Sequence, residues 1–302
     1  MKKLIKKLKL NKLYSLFDVL PDKSAVKMQH FLSVGRIPNL QDPQRFSEKI
    51  HWYKLNYEND LMTQCADKYL MRQYIEKKGY GEYLPKLYAA FNSVDEIDFE
   101  ALPNSFAIKC NNGSGTNEFV ANKSKVNLEE LKKVIKGWEK VNTLSIGREW
   151  AYKNIPQKII VEELLIAEDV FQKKNGLNDY KVLCFNGTPE YIWVDVSRHT
   201  NHQRNFYNLK WDFKDIKTDK PNSSASIDKP ENLKRMIAIS QNLAKDFPFV
   251  RVDFYEVNKK LYIGELTFYP WSGCIKFTPD QFDYELGKKF DIEQLARKNK
   301  YA

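Results

Sequence analysis

Phe247-Pro-Phe-Val-Arg-Val-Asp-Phe-Tyr255 and, nine residues on, Gly264-Glu-Leu-Thr-Phe-Tyr-Pro-Trp-Ser-Gly273 decide how this 302-residue chain is read. Val250, Val252 and Phe254 alternate with Arg251 and Asp253, and Leu261 to Leu266 forms a second short apolar run. Glu256-Val-Asn-Lys-Lys260 separates them, so the spacing predicts a hairpin. Period-two alternation puts Arg251 and Asp253 on one face of their strand, and Glu265 and Thr267 on one face of theirs. Pairing the strands would gather two carboxylates, a hydroxyl and a guanidinium. Such a hard-oxygen set suits Mg²⁺ carrying nucleotide phosphates, with Arg251 over developing charge. The same four residues would equally serve as a cross-strand salt bridge.

Working outward, Ser105-Phe-Ala-Ile-Lys-Cys110 reads as a strand that runs through Lys109 into Asn111-Asn-Gly-Ser-Gly-Thr-Asn117 and then Phe119-Val-Ala121. A loop of this composition can present backbone N–H groups to phosphate, with Lys109 as a point charge; it is also an ordinary hairpin turn. Lys158 to Leu165, Tyr180 to Phe185 and Glu190 to Val196 read as strands, the last two joined at Asn186-Gly187. Val161-Glu-Glu-Leu-Leu165 carries adjacent carboxylates, and Asp179-Tyr-Lys181 brings a lysine into the next strand. Arg198, His199, His202 and Arg204 crowd the segment that follows. It is either a route to an acceptor carboxylate or γ-phosphate, or a solvated loop. Helices are predicted over Asp22 to Val34, from Ser47 to Leu55, over Asp60 to Lys78, from Asn127 to Val141 and over 230–246, each of the first four opened by Ser, Asp or Asn. A helical front end followed by a largely antiparallel body is an α+β pattern.

Several chemistries are excluded. There is no G-x-x-x-x-G-K-[ST], no third glycine after Gly113-Ser-Gly115 to complete a dinucleotide fingerprint, and no G-x-S-x-G elbow. His199 and His202 lack a third ligand at metal spacing. Cys65, Cys110, Cys184 and Cys274 are too scattered for a disulfide framework and read as reduced thiols. No apolar run is long enough to span a membrane. The net charge of +10 favours anionic partners, and six lysines between Lys2 and Lys12 hold +6 of it. Residues 2–14 interleave these lysines with Leu4, Ile5, Leu8 and Leu13. They form either a basic amphipathic helix on an anionic membrane or a solvated helix on the body.

Taken together the pieces resemble the C-terminal signature of ATP-grasp ligases, R-x-D-F followed by E-x-N-x-x-P-G. More closely, the chain resembles the TupA-like (teichuronopeptide-type) ATP-grasp proteins of bacterial surface-polysaccharide clusters. The stretches that carry this are Pro43 to Trp52, Ala66-Asp-Lys68, Ile108 to Gly115, Gly147-Arg-Glu-Trp150, Asp179-Tyr-Lys181, Cys184 to Gly187, Phe247 to Phe254 and Gly264 to Pro270. The resemblance implies an ATP-grasp fold, with ATP between two antiparallel-sheet subdomains. It divides the chain into a helical region over 1–80, a lid over 81–175 and a large subdomain with the metal site over 176–302.

By match, Lys109 and Lys181 contact phosphates beneath a loop of Asn112, Gly113, Ser114, Gly115 and Thr116. Glu162, Glu163, Leu164 and Leu165 form the hinge edge at adenine, and Glu168 or Asp169 reaches the ribose. Asp253, Glu265 and Thr267 hold Mg²⁺, with Thr267 standing where the wider family has Asn. Arg251, Lys181 and Arg204 are the expected catalytic cations, and Arg198, His199, His202 and Arg204 the candidate substrate contacts. The implied activity is a carboxylate–amine ligase working through an acyl phosphate. Its substrates would be an acidic sugar or uronic acid of a capsule, O-antigen or teichuronic-type polysaccharide, and an amine. A cytoplasmic location is expected, with contact at the inner face of the membrane through residues 2–14 and no nucleic-acid partner. Alternatives are a sugar kinase on the same fold, a glycosyltransferase, and a non-enzymatic basic binder.

Overall fold

Two antiparallel sheets carry the molecule, whose computed structural model describes residues 19–138, 147–293 and 295. The expected basic helix at residues 2–14, and the end of the helix expected to reach Val141, lie outside the described residues. The small sheet has the order β1-β4-β2-β3, from β1 (Leu87–Phe91), β2 (Phe106–Cys110), β3 (Asn117–Val120) and β4 (Ile159–Glu162). Its buried face, with Phe106, Ile108 and Val161, packs on Leu131, Ile135 and Trp138 of a helix that spans Leu128–Trp138.

The large sheet has the order β10-β9-β5-β6-β7-β8. Its strands are β5 (Asp179–Phe185), β6 (Thr188–Val196), β7 (Gln203–Asn208), β8 (Phe213–Lys214), β9 (Phe249–Val257) and β10 (Lys260–Thr267). The predicted hairpins at Asn186-Gly187 and across 256–260 are both present. Four helices are described before β1: α1 (Asp22–Val34), α2 (Phe46–Asn56), α3 (Asp60–Ala66) and α4 (Met71–Lys77); the last three contribute to the same hydrophobic cluster as this sheet. The helix over Leu128–Trp138 is α5, a short α6 spans Val170–Asn175, α7 spans Leu233–Ala244 and α8 spans Gln281–Lys289. Leu233, Met236, Ile239 and Leu243 of α7 bury their stripe in the large core.

Two expectations differ. The helix expected across Asp60 to Lys78 is broken, because the Asp67 carboxylate accepts the backbone N–H groups of Tyr69 (2.7 Å) and Leu70 (3.2 Å). A short acidic side chain competes with the helix for those donors. Arg204 lies in β7 rather than in a loop. Gln203-Arg-Asn205 has too polar a sequence to read as a strand, and its pairing with β6 comes from the sheet itself.

The front helices are fastened to the end of the chain. The buried Asp283 of α8 accepts Ser47 N–H at 2.9 Å and Ser47 O–H at 2.7 Å, and pairs with Arg36 at 2.8 Å. Gly287 permits this contact, since a Cβ there would lie 2.0 Å from the Gln44 carbonyl oxygen and 2.9 Å from the Phe46 nitrogen. Backbone cannot yield as a flexible side chain can. Gly287→Ala is therefore expected to destabilise the protein by about 2–3 kcal/mol. The check is a lower urea midpoint at unchanged slope.

Candidate active site

One face of the large sheet carries the predicted polar residues. In the strand register Asp253 of β9 stands opposite both Lys181 of β5 and Glu265 of β10, and Arg251 stands opposite Thr267. Directly opposed residues share a face. A bulge at Gly264 makes this possible. Ile263 pairs with Phe254 and Glu265 with Asp253, so Gly264 is the extra residue. Without it Glu265 would fall opposite Val252 on the apolar face. Gly264 is required there, because a Cβ would approach Tyr255 Cε2 to 2.9 Å.

The charges form a continuous chain. Lys181 Nζ lies 2.9 Å from Asp253 Oδ2 and 2.5 Å from Asp179 Oδ2. Arg251 donates Nε to Asp253 Oδ1 at 2.6 Å, and Nη2 to Asp253 Oδ2 at 2.5 Å, Glu265 Oε1 at 3.0 Å and Thr267 Oγ1 at 2.9 Å. Thr267 in turn donates its hydroxyl to Glu265 Oε1 at 3.2 Å. Burial pushes Asp253 up, with Arg251 and Lys181 pulling against it and Glu265 adding like-charge repulsion. Partial burial works to raise Glu265, yet Lys68, Arg251 and Lys181 hold it well below the usual carboxylate range. Two neighbouring carboxylates are thus set apart in acidity by their surroundings.

Asp195 of β6 anchors the neighbouring group. It receives Arg204 Nε at 2.7 Å and Nη2 at 3.2 Å, and His202 Nε2 lies 3.0 Å away. Despite burial, His202 and Arg204 hold it well below the usual range. Arg204 also bonds Asp219 at 2.8 Å and is itself buried, so its charge is already matched by carboxylates. Arg198 pairs with Asp179. His199 donates its backbone N–H to the Asn175 carbonyl, and its ring lies 6.5 Å from that of Phe119 on β3. Beneath the cations, Trp193 and Trp271 stack at 4.4 Å, with Arg251 5.0 Å from the Trp193 ring and Arg204 5.0 Å from the Trp271 ring.

On the small sheet, Lys109 Nζ is 2.6 Å from Glu162 Oε2, and Arg72 Nη1 is 3.3 Å from Oε1 of the same group. The two strand residues are diagonal neighbours, since Ala107 is opposite Glu162. The glycine loop is pinned at its base by Asn111, whose carbonyl accepts Lys68 N–H and whose side chain bridges Pro156 and Lys158. Gly115 has φ +72, and a Cβ on Gly113 would lie 2.3 Å from Thr116 Oγ1. Ser114 is exposed at the tip, and Asn112 accepts the Cys110 thiol.

Past β4, Glu163 N–H donates to the Lys86 carbonyl at 2.8 Å, and Leu164 follows half-buried. Leu165 then packs with Val257 and Tyr262 at the end of the β9–β10 hairpin, so this segment crosses between the sheets. Glu168 N–H donates to Asn258, and the Asp169 carboxylate caps α6 through Gln172 N–H.

Three residues outside the predicted set belong to the site. Lys68 donates to the Gly113 carbonyl at 2.7 Å, and its charge helps to hold Glu265 below the usual carboxylate range. Its place follows from the helix break at Asp67. Asp179 and Asp195 are the buried counter-charges. The signal for Asp179 was the alternation Asp179-Tyr-Lys181, which puts it on one face with a predicted site residue; Asp195 lies in the strand read over Glu190 to Val196, with no such neighbour.

Two antiparallel sheets, a glycine loop beside Lys109 and a hard-oxygen cluster on the facing strands define an ATP-grasp protein. Residues 48–291 match the TupA-like ATPgrasp family, and the chain belongs to it. The family is one of ATP-dependent enzymes, with Mg²⁺ as the accompanying cation. No curated protein matches the chain. Among solved structures it is similar to a D-alanine–D-alanine ligase from Bacillus anthracis complexed with ATP, with 14% identity, TM-score 0.46, and coverage of 79% of this chain and 67% of that one. Another structure of that ligase gives 15% identity and TM-score 0.43, covering 68% of this chain and 57% of that one. An N5-carboxyaminoimidazole synthetase from Staphylococcus aureus gives 12% and 0.38, covering 68% and 44%. The chain therefore spans little more than half the length of some of the structures it resembles.

Gly113→Ala must displace the buried Thr116 while leaving both cores untouched. It is expected to weaken ATP binding about tenfold or more, seen as a smaller ATP-dependent rise in melting midpoint, while the midpoint without nucleotide changes little.

Proposed function

We propose that this protein is an ATP- and Mg²⁺-dependent carboxylate–amine ligase that attaches an amine to an acidic sugar of a bacterial surface polysaccharide. The observation that carries this reading is the strand register of the large sheet, which sets Asp253 opposite Lys181 and Glu265 and leaves Arg251 held between Asp253, Glu265 and Thr267. The family supports ATP.

The donor set fits magnesium, since Asp253, Glu265 and Thr267 offer only oxygen atoms, two of them carboxylates. Bound there, the cation would neutralise phosphate charge. The chain's own residues do the rest. Lys109, released from Glu162, and Lys181 would sit against phosphate oxygens under the glycine loop. A substrate carboxylate oxygen would attack the γ-phosphorus, breaking the bond to ADP and leaving an acyl phosphate. The amine would then displace phosphate at the acyl carbon and lose a proton. Arg251 is held by Asp253, Glu265 and Thr267, so its charge is already aimed before reaction. Fixed charge of this kind acts without reorganisation cost. No nucleophilic side chain is needed.

For the membrane we propose peripheral contact through residues 2–14. Val19, Met28, Phe31, Leu32 and Ile37, just beyond that segment, are exposed apolar residues, and three of them share one face of α1 at i, i+3, i+4 spacing. Among the described residues no helix is long and apolar enough to cross a membrane.

Phosphate release should require ATP, Mg²⁺, a uronic acid and an amine together, with the amide found by mass spectrometry. Glu265→Gln, at a half-exposed position, should lower kcat/KM about a hundredfold or more while the fold is kept. ADP release that ignores the carboxylate would replace the ligase reading by a kinase. Removing residues 2–14 should abolish co-sedimentation with anionic vesicles; unchanged sedimentation would sink the membrane contact.

A further inference from the structure

Behind the cleft, His30 of α1, His51 of α2 and Cys274 bring their ligand atoms within 4.8 Å of one another. Both imidazoles are fully buried and the cysteine is partly so. His30 Nδ1 lies 2.9 Å from His51 Nε2 and 3.2 Å from the Gly273 carbonyl oxygen, and Cys274 Sγ lies 4.0 Å from His51 Nε2. We propose that this cluster is a zinc site, separate from the magnesium donors, with His30 Nδ1, His51 Nε2 and the Cys274 thiolate as ligands.

Two imidazoles and a thiolate are nitrogen and sulfur donors that suit zinc and do not suit magnesium. Zinc bond lengths of about 2.0–2.1 Å to nitrogen and 2.3 Å to sulfur imply tetrahedral edges of about 3.3 Å between nitrogens and about 3.6 Å from nitrogen to sulfur. The observed 2.9 and 4.0 Å are within about half an ångström of these, and the third edge, from His30 to Cys274, is within 4.8 Å, so side-chain shifts of about an ångström complete the site. The Gly273 carbonyl or a water would fill the fourth position.

Binding would displace the Cys274 thiol proton: Zn²⁺ and the thiol give the Zn–S bond and H⁺. The charges around the cluster are Arg36 and Lys54 against Glu48 and Glu149, two of each sign, and the thiolate then favours a cation.

Such a site would tie α1 and α2 to the turn over Trp271, Ser272 and Gly273, all three of which have positive φ. That turn carries Trp271 to its stack with Trp193, under Arg204. Zinc would thus stabilise the floor of the cleft from outside it.

The test uses the full chain, stripped of metal, with Co²⁺ as spectroscopic probe. The expected result is one Co²⁺ per chain with a thiolate-to-cobalt charge-transfer band and a tetrahedral d–d spectrum, displaced by Zn²⁺, and a higher melting midpoint with Zn²⁺. Cys274→Ser should remove the band and His30→Gln should weaken Zn²⁺ binding at least tenfold, while Asp253→Asn with Glu265→Gln leaves both intact. Cys274 is only partly buried, so its variant keeps the test alive should His30→Gln not fold. No thiolate band in the parent chain, a band that survives Cys274→Ser, or one lost in the Asp253 and Glu265 variant would each overturn the proposal.

Discussion

Lys181, held between Asp179 and Asp253, is the constraint on which the cleft depends. All three side chains are buried, and buried charge is tolerated only when paired and hydrogen-bonded. Asp253 passes the requirement to Arg251, and Arg251 passes it to Glu265 and Thr267. Asp179 passes it to Arg198. Removing one partner of such a pair leaves its neighbours uncompensated, which costs about 3–5 kcal/mol where the pair is fully buried. The network therefore fixes its own geometry. The same rigidity suits a site that must stabilise transferred charge without rearranging.

The front helices form part of this support. Lys54 of α2 donates to the Gly147 carbonyl and to both oxygens of Ser272, so a helix near the start of the chain holds a turn near its end. Glu149, raised by burial but opposed by Lys54, lies beside them. Asp283 closes the loop from the other direction by capping α2. Pro43 to Trp52, the front segment that carries the resemblance, is thus anchored at Ser47, and Lys54 just beyond it holds the turn.

Much of the site was legible because its strands are short and alternate strictly. The hairpins at Asn186-Gly187 and across 256–260, the loop after Lys109 and the facing of Arg251 with Asp253 all follow from local sequence. Lys68 was not legible, since its role depends on a helix broken by an aspartate side chain and on a loop about 45 residues away. The strand position of Arg204 was not legible, because polar sequence gives no strand signal when sheet pairing supplies the stability. Glu162 read as a hinge residue by position; only the diagonal contact with Lys109 shows what its carboxylate holds.

By itself the sequence determined the α+β class, the paired strands and the chemical inventory of the cleft, because alternation and turn residues act over a few positions. Tertiary structure alone decided which inventory met. The strand pattern puts Glu265 with Thr267, but only the bulge at Gly264 turns both toward Asp253 rather than toward the apolar face beside Val252. That choice rests on the close approach of Tyr255 to a residue without a Cβ, a contact between strands that no single strand encodes.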